Sequence, residues 1–74
     1  KHVLMGQYIR NTRASASMTQ NMLAEALGKP QSYVAKIELG ERRIDVLEFI
    51  RIFETMGVDV NEAVSHVKNN IFRY

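Results

Sequence analysis

Cysteine is absent from this 74-residue chain, proline occurs once and glycine four times. Without cysteine, neither a disulfide framework nor a thiolate metal site supplies stability, and the composition fits a reducing cytoplasm, the expected location. No run of about 18 apolar residues is present and no charged-then-apolar leader opens the chain, so neither a membrane span nor a signal peptide is expected. There is no glycine-rich loop. His2 is terminal, and His66 has no second ligand four residues on, so that its expected place is a solvated helix face. No catalytic residue, cofactor site or metal site is expected, and the chain does not read as an enzyme. Seventy-four residues make one small domain, spanning 1–74, with little room for a deep active site.

What remains is an ordinary globular balance, 46% apolar and 24% charged. The apolar spacing is helical throughout, and no period-two alternation argues for a strand. The pattern predicts five helices and an all-α fold. The first runs from about Val3 to Arg13 with Leu4, Met5, Tyr8, Ile9 and Thr12 inward, and Ser15 to Ser17 break it. Thr19 opens the second, although Met22 stands where an acid would complete a capping box. The third spans about Gln31 to Leu39 and stops at Gly40. Asp45 with Glu48 opens the fourth, whose stripe is Val46, Phe49, Ile50 and Phe53 and whose end is Gly57. A fifth begins near Asn61 and continues to about residue 72, with Val60, Ala63, Val64, Val67 and Ile71 on one face. Met5, Met18, Met22 and Met56 are read as core filling.

The segment from Thr19 to Gly40 carries the most information. Leu23 and Leu27 lie four apart with Ala24 beside them, and Val34 and Ile37 lie three apart, so two short helices each have one apolar stripe. Gly28 separates them. It can take the left-handed conformation that ends a helix, Pro30 fixes φ for a new start, and small Ala24 leaves room for the second helix to cross the first. Charge favours the same half. Residues 1–43 hold seven bases against three acids, whereas residues 44–74 hold three against five, the distribution of a protein that grips phosphates on one side.

Taken together, Gln20, Leu23, Ala24, Gly28, Val34, Ile37, Glu38 and Gly40 resemble the helix-turn-helix pattern of Cro and the lambda-type repressors, the XRE-like family, over about residues 4–57. The resemblance implies a five-helix DNA-binding domain whose third helix enters the major groove while the second crosses the backbone. It puts Gln31, Ser32 and Lys36 at base-reading positions. Their chemistry agrees for two: glutamine pairs bidentately with adenine, and lysine donates to O6 and N7 of guanine. Tyr33 is similar to residues that touch phosphate or a thymine methyl, with packing against the first helix as the alternative. The family's glutamine that holds a phosphate and braces the start of the recognition helix corresponds to Gln20, bracing Gln31. Arg42 and Arg43 fall in a loop that touches the DNA backbone, and both are expected on phosphates. Arg13 and Glu38 resemble the family's internal ion pair. Lys29 and Pro30 depart from the pattern, which has an apolar residue and then a Ser or Thr; Lys29 is expected to cover the core with its stem and offer its ammonium to a phosphate.

The implied function is sequence-specific binding of double-stranded DNA by a transcriptional regulator, a repressor or autoregulator. A homodimer is expected, with the fifth helix in the interface, because paired modules read two half-sites about 34 Å apart on a near-palindromic operator. Ile71, Phe72 and Tyr74 either close the monomer core or join two chains. The rival reading is an antitoxin-like module that neutralises a partner protein.

Overall fold

The computed structural model describes residues 2–71, which form five α-helices and no strand. They are α1 (His2–Ser15), α2 (Gln20–Leu27), α3 (Gln31–Glu38), α4 (Val46–Thr55) and α5 (Val60–His66), the last continued by a π-helical turn, Val67–Ile71. The all-α expectation holds. Phe72 and Tyr74 lie outside the described residues.

Local chemistry sets the boundaries. The Thr19 hydroxyl accepts from the Met22 N–H at 3.0 Å, and the Met22 sulfur accepts in turn from the Thr19 N–H at 3.5 Å. The capping box therefore closes on a weak sulfur acceptor instead of an acid, and Met22 is spent on the helix end, half-exposed, rather than on the core. Gly28 takes φ +70°, which lets the Lys29 N–H return to the Ala24 carbonyl at 2.9 Å and turns the chain sharply. Pro30 stands at the cap of α3, outside the first helical turn, and no side chain caps that helix. Asp45 and Glu48 form the reciprocal box expected of them, with bonds of 2.8 and 2.9 Å. At the far end, the Asn70 amide donates to the His66 carbonyl at 3.1 Å. That side chain competes for the oxygen an α-helical ladder would offer residue 70, and the helix widens into a π turn there.

The core gathers Ile9, Leu23, Val34, Ile37, Ile52 and Phe53, all at most 3% exposed. One buried residue carries no side chain at all. A Cβ on Gly6 would stand 2.5 Å from the carbonyl oxygens of both Ile37 and Glu38, so α1 crosses the end of α3 backbone to backbone. This close crossing brings Arg13, two turns further along α1, onto the same side as Glu38.

Several expected inward positions face out. In α4 and its cap the buried set is Ile52, Phe53 and Met56 with Phe49 partly covered, a 3–4 spacing that turns Val46 away; it is 73% exposed. Leu4 and Val64 are also exposed, since Gly6 and Ile9 take the inner face of α1 and Ala63, Val67 and Ile71 that of the last helix. His66 is not on a solvated face: it is half-buried, its ring stacked on Tyr8 with centroids 3.8 Å apart. No helix among the described residues is long and apolar enough to cross a membrane.

Candidate nucleic-acid interface

A buried carboxylate organises one side of the molecule. Glu38, 7% exposed, accepts from Arg13 Nε at 2.6 Å and Nη2 at 2.9 Å, a two-pronged pair joining α1 to the end of α3. Arg13 Nη1 donates to the Met18 carbonyl at 2.8 Å, which fixes the connection between α1 and α2 as well. The bond to Glu38 raises the Arg13 pKa above its ordinary value. A third donor reaches Glu38: the Gln20 amide, at 2.9 Å. No buried side-chain polar atom among the described residues is left unpaired, the condition under which a buried charge is tolerable.

Gln20 passes this order outward. Its side-chain carbonyl accepts from the Gln31 amide at 2.6 Å, so the first residue of α3 is tied through Gln20 and Glu38 to Arg13. Gln31, Ser32 and Lys36 are exposed, and Ser32 and Lys36, four apart, share a helix face. The apolar face of α3, Val34 and Ile37, is buried against α2 and the core. A short helix thus stands on the domain with its polar side outward and its first side chain held from behind.

Tyr33 has a polar partner that neither a DNA contact nor packing on α1 requires. Its ring is half-buried and its hydroxyl donates to Glu48 Oε2 at 2.6 Å, so the polar end engages α4 instead of α1. Burial first, then the bond to Glu48, pushes its pKa up to about 12. Cations flank the ring: the Arg42 guanidinium lies 4.6 Å from its centroid and the Lys29 ammonium 5.5 Å. Arg42 also pairs with Glu48 Oε2 at 2.9 Å and donates to the Arg43 carbonyl at 2.8 Å. Lys29 and Arg43 are exposed. Gln20, Gln31, Ser32 and Lys36 therefore belong to one neighbourhood, and Tyr33, Lys29, Arg42 and Arg43 to a second. Glu48, which joins the second, was absent from the expected site because its place in the capping box already accounted for it.

A further surface lies between the start of α4 and the last helices. Ile44, Val46, Ile50, Val60, Val64 and Val67 line a groove of about 680 Å³ to which Arg42 and Arg43 of the basic loop also contribute, and Leu47 beside Val46 is 74% exposed.

The helix-turn-helix family model matches residues 9–62, from within α1 to the start of α5. Two solved structures are similar. An XRE-family like protein from Pseudomonas syringae pv. tomato is 35% identical with a TM-score of 0.83, over 92% of this chain and 83% of its own. The restriction-modification controller protein C.AhdI from Aeromonas hydrophila is 26% identical with a TM-score of 0.76, over 82% of this chain and 88% of its own. No curated protein sequence matches the chain. The matched span, the left-handed turn at Gly28 and the exposed polar side of α3 agree: the chain belongs to the XRE family of helix-turn-helix proteins, DNA-binding regulators of transcription.

Proposed function

We propose that this domain reads a specific duplex sequence with α3 and acts as a homodimer on a near-palindromic operator, repressing transcription or regulating its own synthesis. The observation that carries the reading is the chain of bonds from Arg13 through Glu38 and Gln20 to Gln31, which holds an exposed amide at the head of α3. Such bracing has a use if that amide must meet a base edge in one orientation. Lys36 then reads guanine, Ser32 contacts a neighbouring base, and Gln20, Lys29 and Arg43 take phosphates.

The dimer is supported by the apolar groove beside Val46 and Leu47. A patch carrying both a groove and projecting aliphatic side chains is suited to a two-fold contact, in which each copy offers the same surface. The likeness to a restriction-modification controller protein favours control of transcription over toxin neutralisation. Selection from random duplexes at two salt concentrations, with mass measured at micromolar protein, tests the reading. An enriched palindrome and a dimeric mass support it. No enrichment moves the assignment to a protein partner, and a monomeric mass removes the two-fold operator.

A further inference from the structure

Glu48 is the third residue of α4, and both of its oxygens are engaged. Oε1 accepts from the Asp45 N–H at 2.9 Å, which closes the cap of α4. Oε2 accepts from the Tyr33 hydroxyl at 2.6 Å and forms an ion pair with Arg42 Nη1 at 2.9 Å. One carboxylate thus links α3, the basic loop and α4. The hydroxyl of Tyr33 first, then the Asp45 N–H, holds the Glu48 carboxyl below its ordinary pKa, so it is ionised at neutral pH. Arg42 is fixed on three sides, by the carboxylate, by the Arg43 carbonyl and by the Tyr33 ring beneath it.

This arrangement bears on selectivity, and it rests on the DNA-binding reading above. We propose that Glu48 sets the selectivity of the domain by withholding Arg42 from the phosphate backbone. Phosphate contacts add affinity for every sequence alike, through release of counterions, while base contacts discriminate. A guanidinium already neutralised by a carboxylate releases few counterions. The loop then contributes through Arg43 and Lys29, and a larger share of the binding energy falls on α3. Glu48 is a positioning residue: it touches no base and acts through Arg42.

Glu48→Gln isolates this role. Glutamine serves in the same capping position, its carbonyl accepting from Asp45 and its amide donating to the Tyr33 oxygen, but that amide cannot hold Arg42. On random duplexes the variant should bind tighter than wild type, with log K against log salt steeper by ~0.9, so that its advantage shrinks ~3-fold between 50 and 200 mM salt. Its ratio of operator to random affinity should fall. Adding Arg42→Ala should abolish the extra slope. In the wild-type background, Arg42→Ala should change the slope by less than half as much as Arg43→Ala, a comparison that does not need Glu48→Gln to fold. Parallel slopes for Glu48→Gln and wild type overturn the proposal, as does an extra slope that survives Arg42→Ala or equal effects of the two arginine variants. If wild type binds no duplex, the functional reading fails instead.

Discussion

Gln20 stands between Glu38 and Gln31, giving its amide to the first and its carbonyl to the second. The order is forced. An ionised carboxylate only accepts, so Gln20 must turn its NH2 to Glu38, which leaves its oxygen for Gln31, and Gln31 must answer with an N–H. The Gln31 carbonyl and its second N–H are then left for a ligand, one acceptor and one donor side by side. Adenine presents the complementary pair, N6–H and N7, in the major groove.

Gln20→Ala should therefore loosen base preference at one operator position while leaving the helices intact. Circular dichroism should be unchanged, and discrimination at the position facing Gln31 should fall. Equal loss of affinity on every sequence would reduce Gln20 to a phosphate contact alone.

Arg13→Ala leaves Glu38 buried with one remaining side-chain donor, and should cost on the order of 3 to 5 kcal/mol in urea unfolding. Replacing both partners, as Arg13→Met with Glu38→Leu, should recover most of that loss, since the pair's own net contribution is small.

Gly6→Ala should destabilise by ~1 to 3 kcal/mol, because the added methyl meets two backbone carbonyls that cannot move without parting α1 from α3. Ala at exposed Asn11, on the same helix, should be neutral or stabilising. Urea midpoints of the two variants make the comparison.

What the sequence makes legible is whatever local chemistry decides. Gly28 and Gly57 end their helices at positive φ, and Asp45 with Glu48 opens α4, because each depends on residues within one turn. Which side of a helix is buried depends on what it packs against. A stripe of Phe49, Ile52, Phe53 and Met56 competes with Val46, Phe49, Ile50 and Phe53 on nearly equal terms, and only the position of the neighbouring helices decides for the first. Gly6 is legible in principle: a lone glycine inside a helical pattern weakens the helix unless close packing requires it. The bond from Tyr33 to Glu48 spans fifteen residues and the loop between α3 and α4, beyond the reach of any spacing rule.

The same bond predicts two titrations. Tyr33 in the folded protein ionises at about pH 12, while a tyrosine in the unfolded chain ionises near 10. The stability it adds is full below pH 10 and is lost as pH rises from 10 through 12. For Glu48 the sign reverses: its lowered pKa adds stability above the ordinary glutamate value, lost as pH falls through the folded one. Tyr33→Phe should raise the Glu48 pKa, read from its side-chain carbon resonance, and should remove the highest phenol transition near 295 nm. An unchanged Glu48 titration would mean that the hydroxyl is not its main partner.

The central claim is that α3 reads bases while the loop after it holds the backbone. Affinities of Lys36→Ala and Arg43→Ala, each measured on the selected operator and on random duplex, test this most directly. Lys36→Ala should lose ~1 to 3 kcal/mol of discrimination at one base pair with little change on random DNA, and Arg43→Ala should weaken both alike. If the two variants act identically on operator and random DNA, α3 is not the reading helix.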